Sequence, residues 1–571
     1  MNILAINPGH NGSAALLIDG ELEFYVEEER LSRSKYDGNP FMGMLESLKY
    51  GVDTLIIGGT HPDLPQLPWT GEDPYTAIIR KHNPNLKVIK AGHIHHIGHA
   101  AAAFFNSGFE DAAAVIVDGS GTRQDIKLNE EGQTNPGFET ESIFNCSYSD
   151  GIVPVFQSFG GNFDTMPVSS DNIEMDNAIT LVKAYEAVSD YLGFGFIEAG
   201  KTMGLAPYGK YDEMIPSLFF NGRGNKNVFI PNYPAGAHID HGRHPYLSLK
   251  EDPKAWHNDP SKVTEAAKNL AWAVQDETQT LVGDLIEKAV KKTDKKNIVI
   301  AGGYGLNCVA NYYYKKRFPD LNIYVDPISH DGGTAIGLAQ LVHYTETKDE
   351  TIRPLSTLYL GPKREESYDF GDIETTEVKP ADVAKLISEK NIVALYQGRS
   401  EAGPRALGNR SILYDPTDPK GKDTVNKVKG REWFRPFAGS MMQEYFEEWF
   451  ETYGMEESPF MMYAMDFKLE KHGECPAITH VDGTCRIQTV TKEQNETYHT
   501  LIDEFRKITG VPILFNTSFN LAGEPLVETL DDAMRTIKNS DINYLYIPEQ
   551  GLLVKYPHND SVVEEEKEEA A

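Results

Sequence analysis

What the chain lacks narrows it first. Only four of its 571 residues are cysteine (Cys146, Cys308, Cys475 and Cys485), and no two of them form a CxxC pair. That excludes a zinc ribbon and a disulfide frame, and it fits a reducing compartment. No apolar run approaches the ~18 residues that a membrane-spanning helix needs. Basic residues are in deficit: 54 Lys and Arg stand against 85 Asp and Glu, a net charge of −31. A broad nucleic-acid-binding face requires the opposite balance, whereas a nucleotide-sized ligand needs only a local basic pocket. No HExxH motif is present, so a metallopeptidase has no evident base. Met1-Asn2-Ile3 runs straight toward a strand and not into a basic-then-apolar leader, so a cytoplasmic location is expected. The acidic stretch 564–569 reads as part of a solvated, disordered tail.

What is there suits a large enzyme. Hydrophobic content is 40% and charged content 24%, and 571 residues are too many for one core, so two or three domains are expected. The most informative stretch is Ala91-Gly-His-Ile-His-His-Ile-Gly-His99, followed by four alanines. The alanine run predicts a helix. If it begins near His95, then His95 and His99 share one face and can grip a single transition metal. His96 points about 100° away on a helix of ~3.6 residues per turn, so it is not expected to join them.

Residues 3–6, 14–18 and 22–26 read as strands around the polar turn Asn7-Pro-Gly-His-Asn-Gly-Ser13. The pattern partly recurs as a strand over 112–117, the turn Asp118-Gly-Ser-Gly-Thr122 and a strand over 126–128, which suggests an internal duplication. Glycine turns of this kind let backbone N–H groups approach a phosphate. Residues 178–192 read as a helix, and 193–209 form a glycine-dense stretch around Lys201 and Glu198. A long helical region, or a pair of helices, covers 263–292. A strand over 297–301 ends in Gly302-Gly-Tyr-Gly-Leu-Asn307, where Gly302, Gly303 and Asn307 suit a phosphate or ribose. Another strand, 322–325, leads to Asp331 at a helix start, the ligand edge of an open α/β sheet. Helix capping is the other role open to Asp331.

Residues 349–364 read as a linker, and a new α/β unit begins near Thr375. Its strand at 392–396 runs into Gln397-Gly-Arg-Ser-Glu-Ala-Gly-Pro-Arg405-Ala-Leu-Gly-Asn-Arg410-Ser411. From Arg399 to Arg435 nine Lys and Arg face five Asp and Glu, a local excess of positive charge that includes Lys427, Lys429 and Arg431. Arginines set among glycines are equipment for planar phosphate binding.

Seven strings then carry a resemblance over nearly the whole chain: His95-His-Ile-Gly-His99, Gly204-Leu-Ala-Pro-Tyr-Gly209, Leu306-Asn-Cys-Val-Ala-Asn311, Gly403-Pro-Arg-Ala-Leu-Gly-Asn-Arg-Ser-Ile412, Arg431-Glu-Trp-Phe-Arg-Pro-Phe-Ala438, His480-Val-Asp-Gly-Thr484 and Asn516-Thr-Ser-Phe-Asn520. In this order they resemble the ATP-dependent O-carbamoyltransferases of the nodulation-factor and tobramycin type. The resemblance implies an α/β protein: an N-terminal duplicated actin/Hsp70-like (ASKHA) domain over 1–350, a C-terminal YrdC-like domain over 365–558, and the acidic tail at 559–571. It implies carbamoyl phosphate and ATP, with Mg, as substrates of the second domain, carbamoyl-adenylate and pyrophosphate as its products, and transfer to an acceptor hydroxyl in the first.

Carried over by motif, His95, His99, Asp331 and Asp118 are the expected ligands of one divalent transition metal, Fe(II), with Mn or Zn also admissible. His10, Lys35, Asp118 and Lys201 are the expected catalytic groups. Gly302, Gly303, Asn307, Arg405 and Ser411 are expected on the nucleotide, and Lys429, Arg435, Arg486, Asn516 and Ser518 on carbamoyl phosphate. Asn11 stands where the family usually has Asp, Gly121-Thr122 where it has Gly-Glu, and Gly439-Ser440 where it has Pro-Ser. The acceptor is a hydroxyl-bearing small molecule or nucleoside, and a homodimer is left open. A small-molecule kinase or ATPase on the actin-like fold would explain the glycine turns but not the arginine-rich second half. A nucleotide-binding regulator without catalysis would have little use for His10, His95, His99 and Asp331 together.

Overall fold

The computed structural model describes residues 1–60, 64–127, 134–161, 168–176, 178–232, 236–240, 247 and 259–558. The expected tail at 559–571 lies outside them, as does much of the polar stretch over 241–258.

The chain is mixed α/β, and its first half is duplicated. One sheet lays Glu21–Glu27, Ser13–Ile18, Asn2–Asn7, Thr54–Ile57 and Lys87–Lys90 side by side in that order. The first three strands are antiparallel, and the last two join parallel to Asn2–Asn7. The second sheet repeats the arrangement with Gly151–Gly160, Thr134–Ser147, Asp111–Val117, Asn297–Ala301 and Asn322–Val325. Pairing directions match strand for strand. The central strands, Asn2–Asn7 and Asp111–Val117, are almost wholly buried, which is why they read as unbroken apolar runs.

The repeat expected at 126–128 is displaced. Arg123–Lys127 forms a side hairpin with the start of Thr134–Ser147, and the true second strand is Thr134–Ser147 itself. Residue 128 lies outside the described residues. The sequence hid this because the inserted hairpin offers its own strand–turn–strand pattern first.

Two helices, His95–Ser107 and Thr334–Thr347, cross between the sheets. Their backbones touch: a Cβ on Gly337 would lie 2.1 Å from the Gly98 carbonyl oxygen and 2.4 Å from the Ala102 nitrogen. Only small residues permit so close a crossing, which accounts for the alanine run. It also brings the first turn of one helix against Asp331–Gly333, the turn that opens the other. The long helix Glu265–Thr293 backs the second sheet as one continuous element.

The second half is a nine-stranded mixed sheet. Helices Pro380–Ser388 and Lys492–Thr509 cover one face, and Leu530–Lys538 covers the other. The arginine-bearing loop connects Val393–Tyr396 to Arg410–Tyr414. The expected linker, 349–364, has no helix or strand, but it is not a free tether. Leu355 N–H donates to Asn106 O at 2.9 Å, Leu360 O accepts from Tyr25 N–H at 2.9 Å, and Leu358 O accepts from Ala402 N–H at 2.7 Å. No helix among the described residues is long and apolar enough to cross a membrane.

A buried ion pair clasps the halves together. Arg30 donates to the carbonyls of Glu401 at 3.2 Å and Gly403 at 2.6 Å, and it lies 3.5 Å from Glu27. Glu27 in turn accepts from Gly403 N–H at 2.8 Å. Burial opposes the Glu27 charge, but Arg30, His330 and the Gly403 amide outweigh it and hold the carboxyl at about 2. Glu27 therefore contributes stability that is fully present above pH 4.5 and is lost as pH falls through about 2. Removing one member of such a buried pair costs ~3–5 kcal/mol. Glu27→Ala should lose stability of that order in urea unfolding at pH 7. The loss should shrink as pH is lowered through that window, and a pH-independent difference would contradict the assignment.

Candidate metal centre and anion site

The helix crossing assembles the metal group. His95 and His99 project from successive turns with their Nε2 atoms 3.2 Å apart. Asp331 Oδ1 lies 3.6 Å from His95 Nε2 and 3.7 Å from His99 Nε2, and Asp118 Oδ2 lies 3.6 Å from His95 Nε2. One ligand atom from each of the four falls within 4.8 Å of the others. Two ligands at ~2.1 Å from one metal sit roughly 3–3.4 Å apart, so the two histidine nitrogens have the spacing of a chelate. The donors are two imidazoles and two carboxylates, a set that suits Fe(II), Mn or Zn. The residues fit the metal that the resemblance implies.

The surroundings support those ligands. The capping role open to Asp331 falls to His330, whose Nδ1 accepts from Gly332 N–H at 3.0 Å and leaves the Asp331 carboxylate to the histidines. Burial opposes charge on His95, yet Asp331 and Asp118 raise it to about 10, and the histidines in return hold both carboxyls far below the usual range. His96 stays out of the group: its Nδ1 meets Ser142 Oγ at 2.8 Å, its Nε2 is 4.0 Å from Asp118, and burial drives it down to about 3. His10 stands at the open side, its side chain 63% exposed, with Nε2 3.4 Å from Asp331 Oδ2. Asp331 raises its pKa against the effect of burial.

The second constellation is a cluster of cations withdrawn from solvent. Lys429 is buried, Arg405 and Arg431 are half-buried, and Arg435 and Arg486 act on them. Burial first, then the neighbouring charges, lower Arg405 to about 9 and push Lys429 and Arg431 well down. The Nε atoms of Arg405, Arg431 and Arg486 are buried without hydrogen-bond partners. The facing carboxylates are Glu432 and Glu524. So much positive charge, with donors unused, is the signature of a site built for a polyanion.

The first half reaches this cluster twice. Lys201 meets Glu432 at 2.9 Å, and Arg405 Nη2 donates to the Leu306 carbonyl at 3.1 Å. Leu306 belongs to the glycine turn that starts at Gly302, where φ is +88° and a Cβ would strike Val117 O at 2.3 Å. At its other end Gly303 N–H donates to Asp118 at 3.3 Å. One short turn thus spans from the metal group to the arginines.

The remaining expected residues fall in several places. Lys35 is exposed and pairs with Glu29 at 2.7 Å. Lys429 Nζ donates to Ser518 Oγ at 3.2 Å and Asn520 Oδ1 at 3.1 Å. Asn516 donates to Ala406 O and Ser440 Oγ and keeps a buried, unpartnered Oδ1. Asn307 caps the helix Cys308–Arg317 and pairs with Gln275, while Ser411 Oγ accepts from Gly408 N–H inside the arginine loop. Arg410 is structural: it stacks on Tyr396 at 3.8 Å and donates to the carbonyls of Gln397, Gly398 and Glu528. Sequence reasoning counted Arg431 in the basic excess but assigned it no ligand, and it missed the Glu27–Arg30 clasp altogether.

Comparison with known proteins gives a consistent account. Residues 76–340 match the family model described as carbamoyltransferase N-terminus, and 384–554 match carbamoyltransferase C-terminus. Nodulation protein NolNO of Sinorhizobium fredii is 28% identical over 94% of this chain and 78% of that protein. Nodulation protein NolO of Bradyrhizobium diazoefficiens is 30% identical over 79% of this chain and 77% of that protein. Among solved structures, full-length HypF in its phosphate- and nucleotide-bound form aligns with a TM-score of 0.30 at 12% identity, covering 61% of this chain and 56% of that one.

Two measurements test the sites as binding sites. The purified protein should carry about one divalent transition metal per chain, and the His95→Ala, His99→Ala double variant should lose it in elemental analysis; unchanged content would refute the ligand assignment. Inorganic pyrophosphate at ~100 times its Kd should stabilise the wild type by ~2.7 kcal/mol at fixed ionic strength. Arg405→Ala or Arg486→Ala should remove most of that gain in thermal unfolding.

Proposed function

The chain belongs to the carbamoyltransferase family, and from that premise we propose that it is an ATP-dependent O-carbamoyltransferase working in two steps at two joined sites. Activation takes place at the cation cluster of the second half, and transfer at the metal group of the first. The observation that carries this reading is the turn 302–307, which touches Asp118 at one end and Arg405 at the other.

In the first step water splits carbamoyl phosphate into carbamate and phosphate. A carbamate oxygen then attacks the α-phosphorus of ATP, and pyrophosphate departs, leaving carbamoyl-adenylate. Every species here is an anion crowded against anions. Arg405, Arg431, Arg435, Arg486 and Lys429 lower that repulsion, and their fixed positions mean that little reorganisation is needed as charge moves. Magnesium on the triphosphate belongs to this step. The Asn516 Oδ1 and Ser518 groups supply neutral hydrogen bonding for a carbamoyl amide.

In the second step an acceptor hydroxyl attacks the carbamoyl carbon, and AMP leaves. A divalent metal held by His95, His99, Asp118 and Asp331 would supply Lewis-acid polarisation of a carbonyl oxygen. His10 takes the hydroxyl proton on its imidazole, and Asp331 Oδ2, 3.4 Å from Nε2, stabilises the charge that results. Its exposure suits a group that meets an acceptor arriving from solvent. Lys201, paired with Glu432 at the cluster's edge, and Lys35, paired with Glu29, are the groups we assign to the adenylate phosphate during passage.

The two steps should separate by mutation. Arg405→Ala and Arg486→Ala should cut carbamoyl-phosphate-dependent pyrophosphate release by ~10²–10³, the usual cost of one charge-stabilising donor. His95→Ala and His10→Ala should still release pyrophosphate yet form no carbamoylated product with a mass-spectrometric panel of hydroxyl acceptors. Identical failure of both sets in both assays, with folding intact, would rule the scheme out. A kinase would release ADP in place of pyrophosphate.

A further inference from the structure

The segment between Arg33 and Gly38 is held in an unusual shape. Arg33 has φ +59° and ends the helix Glu28–Ser32, an ordinary place for a left-handed residue. Tyr36, at φ +60°, has no such excuse: an aromatic L-residue adopts that conformation only when its surroundings force it.

Those surroundings face both sites. On one side the next two residues are laced onto the turn that carries His10. Gly9 N–H donates to Gly38 O at 3.0 Å, Gly12 N–H donates to Asp37 O at 2.9 Å, and a Cβ on Gly38 would lie 2.5 Å from Gly9 O. On the other side the Tyr36 hydroxyl donates to Glu198 Oε1 at 3.1 Å. From there charged contacts run across the domain junction: Glu198 to Lys201 at 3.7 Å, Lys201 to Glu432 at 2.9 Å, Glu432 to Arg435 at 3.5 Å. The Tyr36 N–H also donates to Glu29 Oε2 at 3.0 Å, while Glu29 Oε1 holds Lys35 at 2.7 Å and the Lys35 ammonium lies 4.9 Å from the Tyr36 ring centre. Tyr36 is thus the residue that ties the His10 turn, Lys35 and the rim of the cation cluster into one wall.

We propose that Tyr36 is a positioning residue, a latch that closes this wall so that carbamoyl-adenylate formed at the cluster stays inside the protein until it meets the acceptor. The latch rests on the two-step reading above. A mixed anhydride in water is hydrolysed to AMP and carbamate, so a wall here protects the intermediate and does not build it. The hydroxyl-to-carboxylate contact closes the wall, and the forced backbone at Tyr36 aims the ring at it.

The test needs no acceptor. With carbamoyl phosphate and ATP alone, the wild type should release a burst of pyrophosphate close to one per chain and then turn over slowly. Tyr36→Phe, which loses only the hydroxyl, should keep the burst but release pyrophosphate and AMP in the steady state roughly 10-fold faster, the scale of one hydrogen bond to a charged acceptor. Hydroxylamine in the medium should convert the escaping adenylate to hydroxyurea and AMP, a product the wild type yields far more slowly. Tyr36→Asn should leak at least as much without a lower unfolding temperature, because asparagine tolerates positive φ. A folding defect alone would lower the burst and would not raise trapping. Variants as tight as the wild type overturn the latch, and so does a lost burst at unchanged unfolding temperature, which would put Tyr36 in activation. A wild type that makes no pyrophosphate overturns the two-step reading beneath it.

Discussion

A guanidinium buried without a partner is costly, and the way Arg30 avoids that state organises the molecule. Its partners are Glu27, from the end of the third strand, and two carbonyls of the arginine loop in the other half. Because Glu27 also binds Gly403 N–H and lies 3.7 Å from His330, the clasp touches the loop that presents Arg405 and the residue next to Asp331. Neither half could form its site with the present geometry if the other sat differently. Pairs of this kind are weak arguments for net stability, since well-packed apolar groups often do as well. Their value lies in orientation: a greasy interface can slide, whereas this one has a single register.

The cation cluster is the opposite case. It is only partly compensated, by Glu432 and Glu524, and Lys429, Arg431 and Arg405 are all pushed toward losing their protons. The fold tolerates this because the nine-stranded sheet and its helices supply a large apolar core around the site. In a chain of net charge −31 the cluster is a local attraction for a polyanion. Stability has been given up at the place where a ligand restores it.

Much of this was legible in the sequence, for reasons of period and spacing. His95 and His99 are one helical turn apart, so their meeting needs only a helix, and the alanines supplied one. Asp331 and the glycine turn at 302 stand at strand ends, where an open sheet collects ligands. The excess of arginine after Arg399 was a matter of counting. What escaped was long-range or locally disguised. The duplication was visible in its first strands, but the second repeat's next strand came after an inserted hairpin that copied its pattern. Glu27 and Arg30 look like two more charges in the run Glu27-Glu-Glu-Arg30, and nothing local says that they are buried. Tyr36 has no motif at all, because a left-handed backbone at a tyrosine is imposed by tertiary contacts. The stretch over 349–364 read as a linker; it has no helix or strand, yet its backbone hydrogen bonds to both halves lie beyond any pattern in its own residues.

The two sites also differ in the sign of their charge, and this bears on direction. The cluster gathers five cations, while the metal group brings two carboxylates. On the proposed two-step reading, ATP, carbamoyl phosphate and pyrophosphate, each with several negative charges, are held at the cluster. Carbamoyl-adenylate, once pyrophosphate has gone, carries a single one on its phosphate. Its attraction to the arginines is correspondingly weaker, and its repulsion by Asp118 and Asp331 smaller still once those carboxylates are engaged by histidine or metal. On that reading the same electrostatic arrangement that keeps the substrates at the cluster lets the intermediate move along the turn 302–307. Departure of pyrophosphate is what changes the balance, so the order of the two steps follows from charge without a separate moving gate.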